Sequence, residues 1–219
     1  MDPTYLNNRD KSFINRYKLK RRAEEITEVI ENIYQGRELS LLDVGSADGS
    51  LLCFFNNRLN IKQSAGIEPS LDCVRQRVSK SLNLIVGVAE TLPFCSQSFD
   101  VIVAASVIDH LIDVDKFLKE SQRVLRRRGL LAITAIIPFY DRIANIFGID
   151  KGLHPHIKTF SLCQIKKALQ MHDFKVILAK RFALPSFGLI PFEKQIEFAL
   201  GKIRLSQLMF YSMVIGQKE

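Results

Sequence analysis

Two hydrophobic periods alternate along the chain. Near the N-terminus, Leu19, Ala23, Ile26, Ile30 and Ile33 recur at helical spacing, which predicts an amphipathic helix packed on the domain through one stripe. After Gly36 short apolar runs take over. Residues 39–44, 64–67, 82–86, 99–105 and 130–137 read as strands, and their unbroken apolar character predicts a parallel sheet covered on both faces. Helical segments lie between them: 50–57, then 71–79 behind a Ser70 cap, then 113–127, whose Val114, Phe117, Leu118, Val124 and Leu125 share one face. This is the order of right-handed βαβ units.

Beyond Pro138 the alternation breaks down. A loop holding Gly152, His154, Pro155 and His156 precedes a helix for which Ser161 and Gln164 form a capping box. Two further strands, 174–182 and 209–215, flank a Pro- and Phe-containing stretch of helical character at 184–208 and complete a seven-stranded sheet. The expectation is one domain over 1–219: a helical cap (1–38), a core (39–137), a variable region (138–208) and a last strand (209–219).

Composition narrows the class. The chain has 219 residues, 47% hydrophobic and 25% charged, enough for one globular core without a covalent staple. No apolar run reaches the ~20 residues of a membrane-spanning helix. Charges occupy the N-terminal stretch where a signal peptide would be apolar, so a cytoplasmic protein is expected. Cys53, Cys73, Cys95 and Cys163 are scattered, without a CxxC pair or a histidine at zinc spacing. They are expected to be reduced and mostly buried, with no metal site. The formal charge of +8 is concentrated late, residues 151–219 holding 11 Lys and Arg against 4 Asp and Glu. A basic balance of this kind suits RNA or an acidic membrane. The basic run 16–22 is followed on the same helix by Glu24, Glu25, Glu28 and Glu31, which reads as a solvated face, with an RNA-binding or substrate-covering arm as the alternative.

The most informative stretch is Leu41-Leu42-Asp43-Val44-Gly45-Ser46-Ala47-Asp48-Gly49-Ser50, an apolar strand ending in an acid and turning through small residues into a helix. Such a turn lets backbone approach a ligand and offers the free N–H groups of a helix start. Dinucleotide binding would require glycine at 47 and 50, where Ala47 and Ser50 stand, and a P-loop would require a Gly-Lys-Ser/Thr that is absent. Ala65-Gly66-Ile67-Glu68-Pro69-Ser70 then places a carboxylate at the end of the second strand, facing the same crevice and able to accept both hydroxyls of a ribose.

Together with Ala89-Glu90-Thr91-Leu92-Pro93-Phe94, Phe99-Asp100-Val101-Ile102, His110-Leu111 and the helix and turn over 118–130, these motifs resemble the class I S-adenosylmethionine-dependent methyltransferases, in particular their small-molecule and lipid or glycan branch. The resemblance implies a Rossmann-like, doubly wound α/β sheet with one antiparallel strand and helices on both faces. It implies S-adenosyl-L-methionine as cofactor and S-adenosyl-L-homocysteine as product. Gly45, Ser46, Ala47 and Gly49 would line the methionine part, Asp43 would order the turn and the amino group, and Glu68 would hold the ribose. Ala89 and Glu90 would border the adenine, and Ser106 would sit beside the methionine. Ala47 replaces the middle glycine of the usual turn, and Val88 stands where many relatives carry an adenine-contacting aspartate.

A sulfonium methyl is already activated, so alignment and exclusion of water are the main tasks; a hydroxyl acceptor would also need a base. Asp109, His110, His154 and His156 are the candidates. Acceptor choice should lie in 138–208, where Phe139, Tyr140, Phe182, Phe187, Phe192 and Phe198 are interleaved with Lys180, Arg181 and Lys194. That pattern suits an amphipathic or anionic small molecule, lipid or glycan, while plain core packing is its alternative. RNA methylation and a non-catalytic cofactor-binding subunit stay open as other functions, and the oligomeric state is not encoded legibly.

Overall fold

The computed structural model describes residues 12–140, 142, 158–186, 188, 191–202 and 205–219. Helix α1 (Phe13–Tyr34) starts at Ser12, whose Oγ accepts the Asn15 N–H at 3.3 Å. The chain continues through β1 (Leu39–Val44), α2 (Ser50–Arg58), β2 (Ile61–Glu68), α3 (Leu71–Arg75), β3 (Leu84–Val86) and β4 (Phe99–Ala105). A 3-10 turn (Ile108–His110), α4 (Val114–Val124), β5 (Leu125–Ile136), α5 (Leu162–Met171), β6 (Phe174–Phe182), α6 (Glu193–Lys202) and β7 (Tyr211–Lys218) follow.

The seven strands lie in the order β3-β2-β1-β4-β5-β7-β6, with β7 antiparallel to both neighbours and the remaining pairs parallel. Strand alternation sorts the core into two layers. Leu41, Val101, Val103 and Met213 pack under α1 and α2, while Leu42, Ile102, Ile133 and Val214 pack against α4 and α5. Asp43 shares the parity of Leu39 and Leu41 and so belongs to the α1 side. The chain turns outward in opposite directions from β1 and β4, which opens a crevice beyond their carboxyl ends. No described helix is long and apolar enough to cross a membrane.

Three local expectations are corrected. The helix expected over 113–127 ends at Val124, because Leu125 adopts an extended ψ of 139° and pairs with Phe99; the ladder then skips to Val101↔Leu130. In the bulge so formed within β5, Arg126 pairs with Asp100 at 2.6 Å. The helix expected to reach Ser79 stops at Arg75, and Val78 instead donates its N–H to the Asp48 carbonyl at 3.0 Å. All four cysteines are free thiols, as expected, but only Cys73 is fully buried, and Cys95 and Cys163 are exposed.

The polar face of α1 is not solvated throughout. Arg21 and Glu25 are buried, 3% and 6% exposed, in a cluster that fastens α1 to β6 and α6. Arg21 bridges Glu25 at 2.8 Å and Glu197 at 2.7 Å, and Lys180 reaches Glu25 at 2.5 Å. Glu193 and Glu197 both accept the Leu184 N–H, at 3.1 and 3.2 Å, and the Tyr17 hydroxyl donates to Glu193 at 2.7 Å. Burial pushes the Glu25 carboxyl upward, but Lys180 and Arg21 outweigh it and hold the group below its usual range. Burial wins at Glu197, whose carboxyl is raised against the opposing charge of Arg21.

Candidate cofactor site

The turn after β1 is held by backbone. Gly45 and Ser46 donate their N–H groups to the Ile67 carbonyl at 2.8 and 3.1 Å. Gly45 sits at φ 70°, and a Cβ there would lie 2.5 Å from Val107 Cγ2. Both the conformation and the space therefore call for glycine. Ala47 takes a left-handed φ of 50° without being glycine, and its N–H donates to Glu68 Oε2 at 3.0 Å. Gly49, at φ 81°, precedes α2 without a side-chain cap, while Asp48 Oδ1 accepts the Ser50 N–H at 3.1 Å. Glu68 Oε1 accepts the Ser70 N–H at 3.0 Å, so this buried carboxylate ties the two strand ends together.

Asp43, at 1% exposure, lies near the end of β1, just before this turn. Its Oδ2 and the Ser46 hydroxyl are buried without a hydrogen-bond partner among the described residues. Burial raises the Asp43 carboxyl to about 8, the negative charges of Glu68 and Asp48 add to the rise, and Arg22 opposes it. Arg22 comes from α1. Its Nη1 donates to Ser106 Oγ at 2.7 Å and to the Ala105 carbonyl at 3.3 Å, with the guanidinium 5.5 Å from the Tyr211 ring centre. Ser106 is itself left-handed, φ 59°, and its N–H donates to the Thr134 carbonyl at 2.9 Å. The rim of the crevice is thus closed by a cation from α1 bound at the end of β4.

Residues 42–133 match the family described as "Methyltransferase domain". The chain is similar to a demethylmenaquinone methyltransferase of Thermotoga maritima, 30% identical over 50% of this chain and 49% of that protein. It is similar to a ubiquinone biosynthesis O-methyltransferase of Bartonella bacilliformis, 24% identical over 64% of this chain and 61% of that one. Among solved structures, an S-adenosylmethionine-dependent methyltransferase of Aquifex aeolicus superposes over 100% of both chains with a TM-score of 0.68 at 17% identity. The chain shares the fold of solved S-adenosylmethionine-dependent methyltransferases. It spans less than two thirds of the length of those two curated relatives.

The wall beyond β3 is also built from charged side chains. Glu90 Oε1 accepts the N–H groups of Ile112 and Asp113, at 3.1 and 3.4 Å, and so joins the loop after β3 to the start of α4. Ala89 is buried beside it, and Val88 is half exposed. Arg123 holds the Leu92 and Phe94 carbonyls at 2.8 and 2.7 Å, and Glu120 accepts the Leu92 N–H at 2.8 Å. The structure thus brings Asp43, Gly45, Ser46, Ala47, Gly49, Glu68 and Ser106 to one strand-end crevice, while Ala89 and Glu90 form the neighbouring loop.

Of the candidate bases, His110 is exposed on the 3-10 turn, with its N–H on the Val107 carbonyl at 2.9 Å. Asp109 is buried, and its carbonyl accepts the Lys158 N–H at 3.3 Å. His154 and His156 lie outside the described residues. The aromatic residues of the variable region divide. Phe182 is buried and stacks on Tyr211 at 5.5 Å, whereas Phe139, Phe192 and Phe198 are 58%, 73% and 67% exposed; Phe187 lies outside the described residues. Lys180 and Lys194 turn toward Glu25 and Glu24 of α1, so the expected cationic edge is partly internal.

Arg22 was not legible as a site residue. It sits in a basic run whose members look alike in sequence, and only the stripe Leu19, Ala23, Ile26 fixes which of them turns toward the crevice. With Ala23 buried and Arg22 beside it, Arg22 becomes the cation that reaches β4.

Proposed function

We propose that this protein is a methyltransferase that transfers the methyl group of S-adenosyl-L-methionine to a small-molecule acceptor with an apolar body, of the quinone-ring or lipid-linked type. The observation that carries the cofactor assignment is the turn itself: a left-handed Gly45 backed by Val107, two buried oxygens left without partners on Asp43 and Ser46, and Glu68 fixed beneath Ala47. Orphaned polar atoms in a core are costly, and a ligand with matching donors relieves that cost. The acceptor class is supported by the quinone-pathway names of the relatives and by the exposed Phe139, Phe192 and Phe198 in the variable region.

In this reading Gly45, Ser46, Ala47 and Gly49 line the methionine part. Asp43 faces the amino group, Glu68 offers its remaining acceptor sites to the ribose, and Ala89 and Glu90 border the adenine. Arg22 exchanges its Ser106 partner for the carboxylate of the amino-acid moiety, one charge-assisted bond for another. The bound cofactor supplies a sulfonium-activated methyl; the protein aligns the acceptor with it and keeps water out. His110, exposed on the turn after β4, takes the proton of a hydroxyl acceptor in this reading. The four free thiols support a reducing, cytoplasmic setting.

The test is transfer of labelled methyl from the cofactor in the presence of a membrane-lipid extract, demethylated quinones and total RNA in separate reactions. Label in the organic phase with the first two supports the proposal. Label entering only RNA, or none with any acceptor while the cofactor binds, contradicts it.

A further inference from the structure

Helix α6 is built inside out. Its two acids, Glu193 and Glu197, are 7% and 9% exposed and face Leu184 and Arg21, whereas Phe192 just before it, Ile196 and Phe198 are 73%, 37% and 67% exposed. An amphipathic helix on an aqueous surface shows the opposite arrangement. The inward anchoring is specific: Arg21 meets Glu197 at 2.7 Å, and Tyr17 meets Glu193 at 2.7 Å. The helix is therefore held in this orientation by buried ionic and hydrogen-bonded contacts, with its apolar side turned to solvent.

The outward side carries Lys202 beside Phe198, has Lys194 at its edge toward α1, and holds no described acid of its own. Lys202 lies 4.4 Å from the centre of the Phe198 ring, and Lys194, 57% exposed in its side chain, stands one turn along at 3.4 Å from Glu24. Aromatic rings interleaved with lysines and with the acids withdrawn match the boundary of a bilayer, where rings enter the acyl region and ammonium groups stay at the headgroups. An acidic surface is the complementary partner, since each lysine near an anionic leaflet adds attraction. We infer that the outward face of α6, centred on Phe192, Ile196 and Phe198, docks this protein on an anionic membrane surface. Arg21, which grips α6, and Arg22, which closes the cofactor crevice, are adjacent on α1, so one helix links the docking element to the crevice that a lipid-borne acceptor must reach. This last step rests on the acceptor proposed above; docking itself does not.

The experiment is co-sedimentation of the full chain with vesicles of phosphatidylcholine alone and of phosphatidylcholine with one quarter phosphatidylglycerol, at low and high salt. Wild type, Phe192→Ser/Phe198→Ser and Lys194→Glu/Lys202→Glu are compared. S-adenosylhomocysteine binding and thermal unfolding are measured on the same samples, so that loss of the cofactor site or of the fold is seen separately. Binding to the anionic vesicles that exceeds binding to neutral ones about ten-fold, weakens in salt, and falls about ten-fold in each double variant with cofactor binding intact supports the inference. Equal partition onto both vesicle types, no partition, or unchanged partition of the variants overturns it. So does a wild-type dimer that the aromatic double variant dissolves, because a second copy would then cover the face.

Discussion

Gly45→Ala tests the turn by placing one methyl group where the fold leaves no room. The new Cβ would stand 2.5 Å from Val107 Cγ2, on a residue at φ 70°. The left-handed conformation costs an alanine about 1–2 kcal/mol. Overpacking against a stiff β-branched neighbour adds about 1–3 kcal/mol. The neighbouring Ala47 already sits at φ 50°, so strain of the first kind is tolerated in this loop; the contact is what distinguishes position 45. The substitution should therefore lower stability by about 2–5 kcal/mol, and repeating it in a Val107→Ala background should isolate the contact. There the nearest remaining atom, at the position of Val107 Cβ, is 3.6 Å away, an ordinary separation. The cost should drop to the conformational share, leaving a coupling of about 1–3 kcal/mol between the two sites. Urea unfolding of wild type, both single variants and the double variant gives the four numbers. Costs equal within about 0.5 kcal/mol in the two backgrounds would refute the steric reasoning.

Asp43 makes stability depend on pH. Its folded carboxyl is held up at about 8 by burial, then by Glu68 and Asp48, whereas an unfolded aspartate titrates near 4. Folding thus takes up a proton between these values, and stability falls as pH rises from about 4 toward 8. Asp43→Asn should flatten that slope in denaturant titrations at several pH values; a slope identical to wild type contradicts the assignment. Arg22→Gln removes the cation at Ser106 and should weaken S-adenosylmethionine binding about ten-fold, as expected for one charge-assisted hydrogen bond; undiminished affinity by calorimetry rules out its proposed role. Arg21→Met leaves Glu197 without its cation and Glu25 with Lys180 alone, and should cost about 3–5 kcal/mol in the same unfolding assay. A cost below about 1 kcal/mol would show that the cluster does not anchor α6.

Much of the sheet could be read from the chain because buried parallel strands announce themselves as continuous apolar runs, and the turn after β1 because Asp43, Gly45 and Glu68 fall at strand ends. Element boundaries were less legible where tertiary contacts override local preference. Leu125 satisfies the apolar stripe of α4 equally well as its last residue or as the first of β5, and pairing with Phe99 decides. Val78 leaves the helix expected there for the Asp48 carbonyl, a partner 30 positions away that no local pattern reveals. The cluster of Arg21, Glu25, Lys180 and Glu197 joins residues up to 176 positions apart, and in sequence its members are ordinary surface charges. The same blindness hid Arg22 and the inverted α6, since periodicity alone places Ile196 inside and Glu197 outside.

The most direct test of the central claim is calorimetric titration of the purified chain with S-adenosylmethionine, S-adenosylhomocysteine and, as control, NAD, beside a Glu68→Gln variant whose fold is verified by circular dichroism. The account predicts micromolar binding of both adenosyl ligands, weakened about ten-fold or more in the variant, with NAD silent. A folded wild-type protein that takes up neither adenosyl ligand would contradict it.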